Sequence, residues 1–212
     1  MFDEVAIKTD SIYGLKVNNK PIYDAISRIL DIFLSLAALV IGLPLFIIAA
    51  IAIKIEDRGP ILYRQTRLGI DGKTFTIYKM RSMKIDAEEK SARWAKAEDG
   101  RVTKVGKFIR KTRIDEIPQL YNILLGQMKI VGPRPERPEL AKEFYKELPE
   151  FANRLTVKPG LTGLAQVSGG YNLTPAEKLV LDIDYIENRG FLLDLMIILR
   201  TMGVVISGYG AR

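Results

Sequence analysis

Between Ile32 and Ile53 the chain reads IFLSLAALVIGLPLFIIAAIAI, 22 residues with no charge and one polar side chain, Ser35. A helix of that length reaches about 33 Å, against a hydrocarbon layer of about 30 Å. Apolar runs this long are rare in soluble domains, so the pattern predicts a membrane segment rather than a buried core helix. Gly42 and Pro44 fall near its middle. Proline removes one helix hydrogen bond and collides with the preceding turn, so a break is expected at Pro44. Each half is then about 14–18 Å long, too short to span. Cations flank both ends: Lys8, Lys16, Lys20 and Arg28 before the run, Lys54, Arg58, Arg64, Arg67 and Lys73 after it. Such flanks favour the cytoplasmic side. The prediction is a re-entrant helix-break-helix over 21–58 that enters one leaflet and returns, with a kinked full span as the alternative.

The remaining pattern predicts a mixed α and β body, mostly helical. Residues 1–20 have no clear period and read as a loosely held extension. A helix starts near Pro21, which suits a first helical position, and the RGP at 58–60 ends it. Residues 61–83 alternate Ile, Tyr, Phe and Thr with polar residues around Asp71-Gly72, which predicts a small β-hairpin. Residues 85–97 read as helical. In IPQLYNILLGQM, positions 117, 120, 121, 124, 125 and 128 are apolar, a helical period. The segment VGPRPERPE packs three prolines into six residues, so it must be stiff and extended. Residues 139–148 form an amphipathic helix, and 158–170 a glycine-rich loop. Thr174, Pro175 and Glu177 make a capping box with proline at the first helical position. The tail from Phe191 is apolar on nearly every side, interrupted by Asp194 and Arg200, and is expected to pack on the body or lie at a bilayer surface. No internal repeat or linker appears, so 59–212 is one globular domain after the membrane segment.

Composition narrows the chemistry. The 212 residues include no cysteine and no histidine. That excludes disulfides, thiolate nucleophiles, Ser-His triads and nearly all zinc, haem and iron–sulfur sites. What is left is Asp, Glu, Lys, Tyr, Ser, Thr and Arg, with a hard oxygen-ligated cation such as Mg²⁺ as the expected metal. The net charge of +7 calls for an anionic partner: a phosphorylated small molecule, an acidic membrane face or nucleic acid.

The residues RKTRIDEIPQLY at 110–121 set two carboxylates, Asp115 and Glu116, just after Arg110, Lys111 and Arg113. Either Thr112 caps a helix with Asp115 in its first turn, or the helix begins at Pro118. In both registers the pair sits near a helix N-terminus, which together with the cations is expected to keep Asp115 ionised. An ionised carboxylate attacks phosphorus once the target's charge is neutralised, and its neighbour is suited to hold Mg²⁺. The plain alternative is a cap with surface ion pairs. Arg134, between prolines in GPRP, has little freedom to lose and suits phosphate binding. Lys79, in YKMRSM, is either a strand lysine facing solvent or a further phosphate ligand. The glycines at 160, 163, 169 and 170 lack the Walker spacing and on their own mark only a loop.

Taken together, GPILYRQTRLG, YKMRSM, the long segment from Arg101 to Glu139, KPGLTGLAQVSG and the proline-broken apolar run resemble the bacterial sugar transferase family, the monotopic polyprenyl-phosphate phosphoglycosyl transferases. The resemblance runs from about residue 21 to the end. It implies transfer of a sugar-1-phosphate from a UDP-sugar to undecaprenyl phosphate, with release of UMP, in the first membrane step of surface-glycan assembly. It implies Asp115 as the nucleophile of a covalent phosphosugar intermediate, Glu116 as the Mg²⁺-associated acid, and Lys79, Arg110 and Arg134 as basic site residues. Pro44 matches the proline that breaks the re-entrant helix, with the protein on the cytoplasmic face of the bacterial membrane and nucleic acid no partner. A chain of this length corresponds to the catalytic core alone. Two positions depart from the pattern. Leu43 stands where a serine often precedes the proline, and Gly170 stands where relatives commonly carry arginine. A scaffold or basic binding protein explains the charge and the apolar run but gives the carboxylate pair no role. A membrane phosphatase shares the aspartyl-phosphate and differs only in passing it to water.

Overall fold

The computed structural model describes residues 18–85, 87 and 99–207. The extension over 1–20 and the helix expected at 85–97 fall almost wholly outside them. Helix α1, Pro21–Glu56, is one element of 36 residues that stays helical through Pro44. Its buried positions begin as a polar stripe, Tyr23, Ser27, Asp31 and Ser35, four residues apart, and continue through Gly42 to Ala49, Ala50 and Ile53. Four-residue spacing keeps side chains on one face. The other faces expose Ile22, Ile29, Phe33, Val40, Ile41, Ile48 and Ile51. An apolar surface of this kind, with its polar stripe turned inward, is inverted relative to a soluble helix and suits lipid.

The hairpin forms as the pattern predicts. Strand β1, Leu62–Leu68, pairs antiparallel with β2, Thr74–Met80. Asp71 and Gly72 both take positive φ, 56° and 73°, as a primed hairpin turn requires. Helix α2, Lys104–Lys111, is capped by the Thr103 hydroxyl, which accepts from Gly106 N. It ends in Thr112, followed by Arg113 in the left-handed region. A single turn of 3₁₀ helix, Ile114–Glu116, leads to α3, Gln119–Leu124. The apolar period over 117–128 therefore yields a helix only six residues long, because the chain turns at Gly126 with φ 78°.

Beyond it lie β3, Lys129–Val131, and α4, Pro138–Glu147, with extended chain across the prolines between them. The segment expected to be a glycine-rich loop contains β4, Gly160–Thr162, and α5, Leu164–Ser168. β4 lies parallel to β3. A Cβ on Gly160 would fall 2.1 Å from Gly132 N, and one on Gly163 would fall 2.2 Å from Gly132 O. These glycines let two backbones touch. Helix α6, Pro175–Asn188, carries the full Thr174–Glu177 capping box. Helix α7, Phe191–Ser207, closes the described chain.

Three apolar clusters join these elements. Ala49, Ala50 and Ile53 of α1 pack on Met80 and Ile109. Val131, Leu164, Tyr185, Ile186 and Ile197 form the second, under α7. Ile77, Leu120, Ile123 and Met128 form the third, with Ile117, Ile130 and Leu161 against it.

Candidate active site

Asp115 and Glu116 sit on the short turn between α2 and α3, where the αL residue Arg113 reverses the chain. Of the two registers read from the sequence, the one beginning at Pro118 is met to within one residue, Pro118 being the N-cap of α3, and the one capped by Thr112 is not. Thr112 is the C-cap of α2, and its hydroxyl donates back to Phe108 O at 2.9 Å. α3 is too short for its dipole to matter much, so side-chain cations set the electrostatics.

Lys79 reaches the pair from β2. Strand β2 is held at that point by Asn122 of α3, whose side chain accepts from Tyr78 N and donates to Thr76 O. Glu116 Oε1 lies 3.1 Å from Lys79 Nζ, 3.0 Å from Arg134 Nη2 and 3.9 Å from Arg113 Nη1. Burial opposes the charge on Glu116, but Lys79, Arg134 and Arg113 outweigh it and hold the carboxyl well below the usual range.

Asp115 behaves differently. It is 7% exposed, and its Oδ1 has no hydrogen-bond partner. Burial pushes its carboxyl up to about 6, with Glu116 adding to the rise and Lys79, Arg110 and Arg113 opposing it. The expectation that the cations keep it ionised at neutral pH agrees with this value, by a narrow margin. The cations limit the rise and do not reverse it, because removing a carboxylate from water costs more than they return. At neutral pH Asp115 is still mostly ionised. The result is two adjacent carboxylates with their affinities for protons pushed apart, a pattern that marks chemical sites.

Arg110 and Arg134 are both at the cleft, as read from the sequence. Arg110 Nε donates to Ser82 Oγ at 2.7 Å. Lys111 is exposed on α2 and does not line the cleft. The stiffness expected of GPRP is reinforced by the fold. Pro133 O accepts from Gly160 N, Arg134 O from Arg154 Nη2, Pro135 O from Arg67 Nη1, and Glu136 O from Leu68 N. Arg154 is itself buried and paired with Asp182 of α6. Sequence reasoning passed over Arg154, Asp182, Asn122 and Ser82. Of the four, only Arg154 and Asp182 offered a hint, as charges lying in otherwise apolar stretches. Pro44 belongs to α1, whereas the cations paired with Glu116 come from β2, the α2–α3 turn and the GPRP segment. Two residues before Pro44, Gly42 packs close to the site. A Cβ there would lie 3.3 Å from Ile117 Cδ1, one residue past Glu116.

Magnesium keeps several waters and typically uses one or two carboxylates plus substrate phosphates. Among the described residues no three His, Cys, Asp or Glu side chains come together. The orphaned Asp115 Oδ1 beside Glu116 fits an ion held by one or two carboxylates and completed by a diphosphate.

Comparison with known proteins gives the chain's relatives. A family described as "Bacterial sugar transferase" matches residues 22–208. The chain is 41% identical over 212 residues to the UDP-N-acetylgalactosamine-undecaprenyl-phosphate N-acetylgalactosaminephosphotransferase of Aeromonas hydrophila, covering 97% of this chain and 50% of that protein. It is 41% identical over 184 residues to the UDP-glucose:undecaprenyl-phosphate glucose-1-phosphate transferase of Caulobacter vibrioides, covering 84% and 69%. It is 38% identical over 224 aligned positions to the galactosyl transferase CpsE of Streptococcus agalactiae, covering 99% and 49%. The chain thus spans about half the length of the first and third of these relatives.

Proposed function

Because the chain belongs to the bacterial sugar transferase family, we propose that it moves a sugar-1-phosphate from a UDP-sugar to undecaprenyl phosphate and so begins assembly of a surface glycan. The observation that carries this reading is the orphaned oxygen of Asp115, buried among Lys79, Arg110 and Arg113 beside a Glu116 already neutralised by cations.

In the first step an Asp115 oxygen attacks the phosphorus that bears the sugar. The bond from that phosphorus to UMP breaks, and UMP leaves with the electron pair. In the second step a phosphate oxygen of the acceptor attacks the same phosphorus, and the Asp115 carboxylate leaves, restored. No oxidant and no net proton is needed. Arg110, Arg113 and Arg134 offset the negative charge of the incoming phosphates, which is what lets an anion attack an anion. Glu116 would hold Mg²⁺, which supplies neutralisation of the diphosphate when bound. Glu116 also keeps Lys79 and Arg134 turned toward the site.

Asp115→Asn is expected to abolish UMP release while leaving membrane attachment intact. Intact-protein mass spectrometry of wild-type enzyme trapped with an accepted UDP-sugar is expected to show a phosphosugar adduct. An active Asp115→Asn enzyme would overturn the mechanism.

The same reading places the protein on the cytoplasmic face with α1 re-entrant. Support comes from both ends of α1 resting on one body. Near its start, Arg28 donates to Ile123 O and Leu124 O, and Asp31 accepts from Ile130 N. At its end, Glu56 accepts from Lys104 N and Val105 N. These contacts support re-entry, although the break expected at Pro44 is not formed and α1 stays helical there. Single cysteines at positions 20 and 73 are expected to react from the same side of sealed vesicles, and reaction from opposite sides would exclude re-entry.

A further inference from the structure

The cleft at Asp115 is larger than its charged end requires, about 900 Å³. Past Glu116 the lining changes character. Beside the charged residues, it includes Ile117, Leu120, Ile130, Ala38, Ile198 and Met202. This stretch is continuous. Ile117, Ile130 and Leu161 pack on one apolar cluster with Leu120, and Ile130 and Ile198 pack on the next. Two helices contribute to it: α1 through Ala38 and α7 through Ile198 and Met202. Met202 is 57% exposed, and Val40 and Ile41 beside Ala38 are 75% and 76% exposed, so this end opens onto the lipid-facing side of α1.

We propose that this apolar arm, between α1 and α7, holds the first isoprene units of the acceptor, with the acceptor's phosphate at the Asp115 end. The inference rests on the transfer reading above and assigns a place to one of its two substrates. Nucleotide and sugar are polar and gain nothing from Ile117, Leu120 and Ile198. A phosphate joined directly to hydrocarbon needs cations and then, at once, an apolar floor. The chain supplies that change within two residues, from Asp115 to Ile117. The small Ala38 leaves the α1 side open where a larger side chain would close it.

The test uses Ala38→Trp and Met202→Trp, one on each helix and both at exposed positions, reconstituted in vesicles. Two quantities are read: UMP released per enzyme in a single turnover without acceptor, and the KM for undecaprenyl phosphate under turnover. The expected result is a KM raised at least tenfold in both variants, with the single-turnover UMP yield lowered less than twofold. An unchanged acceptor KM in both variants overturns the assignment. So does an equal loss of both readings in variants that melt like the wild type. Absence of UMP release from the wild-type enzyme with every UDP-sugar tried would instead strike the transfer reading itself.

Discussion

Asp115 is costly to bury, and the cost has a sign that experiments can read. Its carboxyl titrates near 6 rather than near 3.8, so folding favours the protonated form. The ionised folded state is then about 3 kcal/mol less stable than one with an ordinary carboxyl. That penalty is absent below about pH 4 and complete above about pH 6. Asp115→Asn is expected to raise stability by up to roughly 3 kcal/mol at pH 7.5, with the gain shrinking as pH falls. Urea denaturation at pH 7.5 and pH 5 measures it, and a variant weaker than wild type at pH 7.5 contradicts the burial argument. On the proposed mechanism the same titration governs the chemistry. Acceptor-independent UMP release should rise with pH through about 6 and level off above it. Lys79 is the strongest of the cations holding that value down, so Lys79→Met should move the rising limb to higher pH as well as slow the reaction. The pair itself was legible in the sequence as a candidate, beside the plain alternative of a cap with surface ion pairs. The unequal protonation was not, because it depends on burial and on cations from β2 and the GPRP segment, 36 residues before Asp115 and 19 after it.

At the scale of elements, local signals were legible and pairings across distance were not. The Asp71-Gly72 turn, the Thr174 capping box and the apolar run of α1 each announce themselves within a few residues. β3 and β4 are three residues each and lie about thirty residues apart, so neither has a period to detect. Their glycines matter through contact. Gly163→Ala would drive a Cβ into the backbone oxygen of Gly132, where no side chain can move aside. A loss of about 3 kcal/mol is expected, measured by denaturation, together with weakened activity because β4 anchors Arg134's segment. A milder link joins α1 to the site. Glu56 accepts from the first amides of α2, at 2.8 Å each, and α2 carries Arg110 at its far end. Glu56→Ala should cost about 1 kcal/mol and speed hydrogen exchange at Lys104 and Val105. Unchanged exchange there would show that Thr103 alone caps the helix.

At the scale of the whole molecule, α1 and α7, which both contribute to the cleft lining, are tied together near their starts at Tyr23, Phe191 and Asp194. The polar stripe of α1 meets Asp194 there. Tyr23 donates to Asp194 Oδ2 at 2.7 Å and Tyr185 to Asp194 Oδ1 at 3.1 Å, while Lys129 Nζ lies 4.6 Å from the Tyr23 ring centre. Asp194 read from the sequence only as an interruption in an apolar tail, yet it is the acceptor that two buried hydroxyls share. Asp194→Ala removes the acceptor of Tyr23 and one of the two acceptors of Tyr185, whose other is Val131 O, at a cost of about 2–4 kcal/mol. Asp194→Asn keeps one side-chain oxygen and should lose about half as much. The catalytic consequence follows from geometry. Lys79, Arg134 and Asp115 are fixed by β2, β4 and the α2–α3 turn, whereas the apolar arm needs α1 and α7 at a set separation. Loosening that contact should therefore reduce acceptor-dependent turnover several-fold more than single-turnover UMP release, in the order Ala worse than Asn. Equal losses of the two half-reactions in a variant that still melts cooperatively would mean that the α1–α7 contact supports the charged end of the cleft as much as the apolar one.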